Sequence, residues 1–596
     1  MSTMLYKNYP TVVEELTRDV ISGRIGLPDL QRPFVWKDNK VRNLLDSMIK
    51  GYPIGYIMLW QSPDDYESKK TNIGINSKTF DTPLFLVIDG QQRLTALVAS
   101  LYGIKIKDKD YNEREIKISF NPLTKAFEVW TSAYDRTPEW IPRISDLFIV
   151  KRENQLSAFR RNYIRNLNES RQKKGNELLT DEEKDLIEEN LNEVLNLSQY
   201  ALPTLEISRE ANEEDVAEVF VRVNSGATAL NENNFIQTII SVYENDTSAR
   251  MDKFCKESRV PAKGTSYNTI IELDTSHIVK MTVGVGFRKA RLKYVYMLLR
   301  GKNLQTGEYS SEEQQTNLSA FKNALDKVLD LNNWHLFLNI LGEAGYIDKS
   351  LITSKNAVVF SYVLFLIGKY DYKIEALHLK ELIAKWFFVT SVTGYYTGSP
   401  ESTMEKLFAD IKNVFDADGF ERYLDSVINT LFTDDFFDVT LPNDLNTASA
   451  NSPSWNAFVA SQILMGTPML FSQSPLGKFF IPGSSGSKNS IDKHHIFPKN
   501  YLTNIGIDQD RERNQIANFT YLDYETNITI SDRPPYEYVP EFKEKLGNEK
   551  FEKACYNNAL PEGFENMEYN EFLSLRRSLM AKIIKKAFNI LNHSDK

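Results

Sequence analysis

The spacing at which apolar residues recur changes along the chain, and this change constrains the fold more than any other feature. From about Asn234 to Phe437 they recur at helical spacing, which predicts a helical middle region. Earlier apolar runs are short and bounded by Gly, Pro or Asp, which is typical of strands. The predicted strands are Gly55–Trp60, Leu84–Ile88 and Ile116–Phe120. We therefore predict an α+β multidomain chain with an α/β N-terminal domain.

Length and composition exclude several classes of protein. The chain has 596 residues, of which 42% are hydrophobic and 25% charged, so it is neither a single small core nor largely disordered. Its net charge of −9 excludes a uniformly basic surface but not a local groove for nucleic acid. Two cysteines cannot form a disulfide framework or a Cys-based zinc site. The longest nearly apolar run, Ala357–Gly368, is too short to span a bilayer, so we expect a cytoplasmic protein without a membrane partner.

Composition also suggests where domains begin and end. We predict an N-terminal domain over residues 1–235, with a charged helical insertion at 150–196. A helical connecting domain follows over 236–440, and a C-terminal domain over 441–596. The polar, turn-rich stretch 441–453 is predicted to be a linker.

Two adjacent histidines stand in the C-terminal segment Ile491-Asp-Lys-His-His-Ile-Phe-Pro498. On a bent strand, one imidazole could ligate a divalent cation while the other acts as a general base. Phosphodiester hydrolysis uses both parts, a base and a cation. A turn capped by a His pair is the structural alternative. Downstream, Ile516–Leu522 is predicted to be a strand carrying Asn518, and a short helix carrying Asn527 follows.

His-His-x-x-Pro, then Asn on a strand and Asn on a helix, resembles the ββα-metal finger of HNH nucleases. The resemblance implies that His495 is the general base and that Asn518 holds the loop carrying it, as the catalytic pair. It further implies that His494 and Asn527 are ligands of Mg²⁺ or Mn²⁺.

Two N-terminal segments combine polar residues with turns. One is Leu27-Pro-Asp-Leu-Gln-Arg-Pro-Phe-Val-Trp36, which contains Gln31 and Arg32. The other is Asp89-Gly-Gln-Gln-Arg93, between a predicted strand and a predicted helix. A phosphate could bind the free N–H groups at the helix start. Gly90 would allow close approach of the backbone, and the Arg93 guanidinium could bind the phosphate oxygens. The same residues are equally consistent with a helix cap, a turn and a surface charge.

Both segments, together with Val219-Phe-Val-Arg-Val-Asn-Ser-Gly226, resemble the N-terminal domain of GmrSD-type modification-dependent restriction enzymes. That domain is similar to the ParB/sulfiredoxin-like fold. The resemblance implies binding and hydrolysis of an NTP, GTP or ATP. It predicts a strand at Val219–Gly226 that brings Arg222 and Asn224 to one face. The implied nucleotide-binding residues are Gln31, Arg32, Asp89, Gly90, Gln91, Gln92, Arg93, Arg222 and Asn224.

The family also carries a C-terminal HNH finger, so both ends of the chain predict the same function. We expect an NTP-regulated, metal-dependent DNA endonuclease of anti-phage defence, acting on modified phage DNA. Two alternatives stay open. One is a nucleotide-dependent DNA-binding switch with an inactive finger, and the other is an HNH nuclease that acts on RNA. The oligomeric state also stays open, with a homodimer among the options.

Overall fold

The computed structural model describes most of the chain. The residues outside the description are 1–4, 27–33, 63–82, 109–111, 212–214, 217–218, 221–222, 224–244, 300, 304–305, 307, 309, 481–490 and 593–596. The chain divides into two compact units, Met1–Asp252 and Lys253–Lys596. The predicted three-domain division stays a prediction, whereas the mixed α+β composition and the helical middle region are confirmed.

The first unit mixes strands and helices. Its strands are β1 (Tyr6–Val12), β2 (Ile25–Gly26), β3 (Ile57–Gln61), β4 (Phe85–Asp89), β5 (Ile106–Lys107), β6 (Glu113–Arg114), β7 (Ile118–Asn121), β8 (Ala126–Val129) and β9 (Ala201–Ile207). Its helices are α1 (Val13–Ile21), α2 (Asp38–Ile49), α3 (Gln91–Tyr102), α4 (Ile144–Arg152), α5 (Leu156–Lys173) and α6 (Asp181–Asn196). The three strands predicted from the sequence are therefore present, each shifted by a residue or two.

Five of these strands form a mixed sheet in the order β1-β9-β3-β4-β2. β1 and β9 are antiparallel, with Tyr6 opposite Ile207, whereas β9 and β3 are parallel. β3 and β4 are antiparallel, and their register shifts between Met58 and Leu59. Such a bulge bends a strand locally. It lies opposite the end of β4, where the Asp89–Arg93 segment begins.

Helix α3 is the central helix of this unit. Every residue from Leu94 to Leu101 is buried, which is typical of a helix covered on all sides rather than on one face. By contrast, the predicted charged pair, α5 and α6, buries only one stripe of each helix. Arg171 forms a bidentate ion pair with Glu183 across the two helices.

The second unit is mainly helical. Helix α7 (Asn245–Glu257) begins in the first unit and ends in the second. The helices that follow are α8 (Thr275–Phe287), α9 (Leu292–Leu299), α10 (Ser311–Leu329), α11 (Leu331–Glu343), α12 (Lys355–Tyr370), α13 (Ala376–Val392), α14 (Pro400–Ile411), α15 (Ala417–Leu431), α16 (Leu441–Asp444), α17 (Pro453–Leu464), α18 (Lys499–Asn504), α19 (Asp510–Arg513), α20 (Tyr524–Ile530), α21 (Pro535–Leu546), α22 (Asn548–Asn557) and α23 (Tyr569–Leu591). The strands among the described residues of this unit are β10 (Ile491–His495) and β11 (Phe519–Asp523).

The most apolar run of the sequence forms the core of this unit. Residues Ala357–Gly368 of α12 are all buried, and α13 packs beside them. Within the described part of the chain, no helix has both the length and the apolarity needed to cross a membrane.

The prediction of a linker at 441–453 is wrong for its first residues. Leu441–Asp444 is a helical turn, and Leu441 and Leu445 are fully buried. The Ile516 N–H donates to the Thr447 carbonyl at 2.9 Å, which attaches this stretch to the β11 region. The stretch is mostly polar, so its composition indicated a linker. Burial of two leucines is nevertheless enough to hold a short segment against a core.

Candidate functional site

The two predicted C-terminal histidines lie on a strand followed, later in the chain, by a second strand and a helix. β10 pairs with β11 as an antiparallel ladder, with His494 opposite Thr520 and His495 opposite Phe519. Helix α20 begins directly after β11, and the Asp523 side chain caps it by accepting from the Thr526 N–H at 2.8 Å. The arrangement of these elements is therefore strand, strand, helix.

This arrangement brings His494 and Asn527 together. His494 Nδ1 lies 2.8 Å from Asn527 Oδ1, although the residues are 33 apart in sequence. His494 is buried at 7% exposure, whereas Asn527 is half-buried on α20. Within the described residues, no three His, Cys, Asp or Glu side chains cluster in a way that could hold a metal. Nδ1 of His494 and Oδ1 of Asn527 are two atoms at this position that could bind a cation.

His495 has a different environment from its neighbour. Its Nε2 lies 3.0 Å from Asn514 Oδ1, and its ring contacts Phe519 edge-to-face at 4.8 Å. Burial lowers the pKa of His495, and the positive charges of Lys499 and Arg513 lower it further, while the Asn514 contact acts in the opposite direction. The imidazole is therefore neutral at pH 7, the form that accepts a proton.

Asn518 holds the backbone that follows His495. Its Oδ1 accepts from the Phe497 N–H at 2.8 Å, and its Nδ2 donates to the Phe497 carbonyl at 3.0 Å. Nδ2 also donates to the Arg513 carbonyl at 3.3 Å, and the side chain is fully buried. The sequence pattern predicted a strand that contains Asn518, but Asn518 ends a 3₁₀ turn at Ile516–Asn518, and the strand begins at Phe519. Because of this turn, the side-chain amide of Asn518 contacts the Phe497 backbone and is not part of the β10–β11 ladder.

Two further residues support this region, and the sequence analysis missed both. Tyr538 donates its hydroxyl to the Ile496 carbonyl at 2.8 Å. Arg576, fully buried on α23, donates from Nη1 to the carbonyls of Ala517 and Phe519 at 2.8 and 2.7 Å. Arg576 therefore forms hydrogen bonds with the backbone on both sides of Asn518. No local signal could reveal it, because its partners lie more than fifty residues earlier.

The Asp89–Arg93 segment in the first unit joins β4 to α3. Asp89 Oδ1 accepts from the Gly90 N–H at 2.8 Å. Gly90 has φ 96°, and a Cβ added to it would lie 2.5 Å from the Ile57 side chain. Only glycine fits this turn without strain. Within the described residues, no side chain caps the start of α3, so the N–H groups of its first turn have no side-chain cap.

The side chains of α3's first turn have defined positions. Gln91 begins the helix. Gln92 Oε1 accepts from the Val35 N–H at 3.0 Å, which holds the segment after residue 33 against the helix start. Arg93 donates from Nη1 to the Tyr56 carbonyl, and its guanidinium lies against Gly55. Arg93 thus has a structural contact in addition to its predicted role.

The other predicted nucleotide-binding residues, Gln31, Arg32, Arg222 and Asn224, lie outside the described residues. The described residues of their second segment, Val219, Phe220 and Val223, are helical. The prediction of a strand there is therefore wrong for these residues. Alternating valines favoured a strand locally, but such propensity is readily overridden by tertiary contacts.

Comparison with known proteins agrees with the N-terminal resemblance. An uncharacterized protein of Methanocaldococcus jannaschii is 23% identical over 551 residues, which cover 89% of this chain and 86% of that protein. Residues 13–241 match the model of the GmrSD restriction endonuclease N-terminal domain. That span contains the Asp89–Arg93 turn and most of the sheet. Residues 13–241 are therefore similar to the N-terminal domain of the GmrSD restriction endonuclease family, which confirms the resemblance for this part of the chain.

Proposed function

We propose that this chain is an HNH-type, metal-dependent DNA endonuclease whose hydrolytic centre is the β10–β11–α20 element. The observation that supports the proposal is that the Asn518 side chain forms hydrogen bonds with both the N–H and the carbonyl of Phe497. It holds the loop after His495 in one conformation, as a positioned base requires. A His pair that merely caps a turn has no need of a buried asparagine that binds the backbone of Phe497, 21 residues earlier in the chain.

The chemistry of His495 follows from its contacts. Asn514 Oδ1 is an acceptor, so Nε2 of His495 carries the proton and donates to it. Nδ1 is then the lone-pair nitrogen that takes a proton from the attacking water. The lowered pKa of His495 keeps this nitrogen available at pH 7. Asn514 acts as a positioning residue, because it sets the tautomer.

His494 and Asn527 are the residues that would hold the divalent cation. An imidazole nitrogen and an amide oxygen form a mixed donor set, which suits Mn²⁺ and is also compatible with Mg²⁺. When bound, the cation supplies positive charge beside the scissile phosphate and the leaving oxygen. The protein's part is to keep the two donors adjacent, which the pairing of β10 with β11 and the start of α20 achieve.

In the first unit, we propose that the Asp89–Arg93 turn belongs to a ParB-like nucleotide pocket. Uncapped N–H groups at the start of α3 attract a phosphate, and Gly90 allows close approach of the backbone. Arg93 offers its remaining guanidinium donors to the same anion. ATP or GTP bound there would regulate cleavage.

The substrate follows from the family. The matched description is that of a restriction endonuclease, an enzyme class that cleaves DNA, and the modification-dependent members favour modified phage DNA as the target. We therefore propose modified DNA as the class of substrate, without a particular base sequence.

The central test is cleavage of supercoiled plasmid and of modified phage genomic DNA by the full chain with Mg²⁺ or Mn²⁺. H495A should lower the rate by about 10²–10⁴ while the melting temperature stays unchanged. H378A is the matched control, because His378 is exposed on α13. Cleavage that survives in H495A, or that ignores chelation of metal, contradicts the proposed mechanism. Cleavage of RNA alone, or binding without cleavage, would favour the two alternative functions.

Nucleotide binding is tested separately by calorimetry with ATP and GTP. R93A and R93K should each weaken binding by about tenfold or more, because lysine keeps the charge but loses the planar fork. The melting temperatures of the two variants without nucleotide measure how much stability is lost with the Tyr56 contact, separately from the effect on nucleotide affinity. Unchanged affinity in both variants would leave Arg93 with its structural role alone.

A further inference from the structure

A cavity in the second unit lies outside both sites described so far. It has a volume of about 680 Å³, opens to solvent, and is lined mainly by the loop 465–473, by α22 and by α23. Protein cavities that bind small molecules fall in the range of roughly 300–1,000 Å³. Neither β10 nor β11 contributes to its lining.

The charge of this cavity has a single sign. Its charged lining residues are Lys550, Lys553 and Lys586, and no Asp or Glu lines it. The nearest acidic residues along α22, Glu549 and Glu552, are outside the lining. In a chain of net charge −9, a concave surface with three ammonium groups and no carboxylate is opposite to the overall balance. It will attract anions.

The three lysines also keep their capacity to bind. Among the ion pairs of the described residues, none involves Lys550, Lys553 or Lys586. Lys550 and Lys553 are three residues apart on α22, so they share a face of the helix. Lys586 Nζ lies 5.4 Å from the centre of the Tyr556 ring. Each ammonium group therefore has donors available to a ligand.

The walls of the cavity are held by buried contacts. Asn558 accepts from Gln462 Nε2 at 3.1 Å and donates to the Ala554 carbonyl at 3.0 Å. Phe471 has φ 61°, a strained conformation for a bulky residue, and its ring stacks on Phe542 at 4.5 Å. Such strain persists only where surrounding structure holds it, so the loop is preorganised.

We infer that this cavity binds a compact anion of the nucleotide class, carrying two or more phosphate groups. The three lysines would contact the phosphates, and the apolar lining residues Met465, Met469 and Ile590 would accept the base. This site is separate from the Asp89–Arg93 turn, which belongs to the first unit. The inference does not depend on DNA cleavage.

Calorimetry of the full chain with pyrophosphate and with ATP tests this inference. The double variant K550Q/K553Q should weaken binding of both ligands at the cavity by about tenfold or more. K545Q/K582Q is the matched control, since it removes the same charge from exposed lysines outside the lining. R93A removes any contribution of the other proposed nucleotide site.

The outcomes separate the two sites. Binding of ATP that persists in R93A and is lost in R93A/K550Q/K553Q supports the cavity site. If R93A abolishes all nucleotide and pyrophosphate binding, the cavity assignment is overturned while the N-terminal pocket stands. Equal weakening by the control variant would show a general charge effect and would overturn it as well. Binding of a DNA oligonucleotide that K550Q/K553Q weakens, with no binding of pyrophosphate or ATP, would assign the lysines to backbone phosphates and would overturn the inference.

Discussion

Replacing Asn518 with alanine tests the central support of the proposed hydrolytic centre. The side chain makes two bonds to the backbone of Phe497 and a longer one, 3.3 Å, to the Arg513 carbonyl. N518A removes all three and leaves the Phe497 N–H and carbonyl without these partners. The Arg513 carbonyl loses least, because it also accepts from the Tyr569 hydroxyl at 3.4 Å.

The cost follows from burial. Asn518 is fully buried and Phe497 is 2% exposed, so water does not readily replace the lost bonds. A buried polar group left without a partner costs about 1–3 kcal/mol. Two such groups, the Phe497 N–H and carbonyl, lose a partner, and their costs do not add fully because they are neighbours. We therefore expect a local destabilisation of about 2–4 kcal/mol.

Hydrogen exchange of the peptide containing residues 491–498 measures this locally. Every 1.4 kcal/mol is a factor of ten, so protection of the Phe497 amide should fall by roughly 30- to 700-fold. N500A is the matched control, because Asn500 makes an exposed bond to Asp532 and none to Phe497. DNA cleavage by N518A should fall with the loss of protection.

The isosteric variant N518D separates lost hydrogen bonds from lost volume. At neutral pH its carboxylate still accepts from the Phe497 N–H but faces the Phe497 carbonyl without a proton to donate. Burial and this repulsion raise the pKa of the introduced carboxyl in the folded state. Its stability therefore improves as pH falls and is lost as pH rises. Unchanged exchange in N518A, or a destabilisation by N518D that does not change with pH, would contradict the proposed role of the Asn518 hydrogen bonds.

Three further predictions concern stability. Burial lowers the pKa of His277 to about 4, and its Nδ1 accepts from the Asp274 N–H at 3.1 Å. Stability should therefore fall by up to about 3 kcal/mol as pH drops from 6.5 to 4, because the unfolded state takes up the proton first. H277Q keeps an acceptor at that helix position, so its thermal melts should lose this part of the pH dependence. G90A should lower the melting temperature of the first unit, since its Cβ would meet Ile57 at 2.5 Å and its φ is 96°. R576M should destabilise the β11 region by about 1–3 kcal/mol for each carbonyl left without a donor, as hydrogen exchange would show.

Local sequence patterns predicted the type of most elements. Helical periodicity over the middle of the chain and short apolar runs before it correspond to the helices and strands observed. The Asp89–Arg93 turn was also accessible from sequence, because strand, glycine and helix follow one another directly and the turn depends on Gly90 alone. These features are local, so neighbouring residues contain the information.

Patterns failed where distant contacts override local preference. Val219, Phe220 and Val223 are helical where the family resemblance implied a strand, and Leu441 and Leu445 are buried in a stretch whose composition suggested a linker. In both cases the outcome depends on what packs against the segment, and a window of a few residues does not contain that partner.

The amino-acid sequence alone determined which residue types are available for chemistry: the His-His pair, the asparagines that follow and the glycine turn. The tertiary structure alone decided how they combine. It placed Asn518 in a 3₁₀ turn facing Phe497, set Asn514 beside His495, and brought Arg576 from α23 to both sides of that turn. It also paired β1 with β9 across some 200 residues. The physical reason is that buried polar groups must find partners, and in a folded chain those partners are chosen by proximity in space rather than along the sequence.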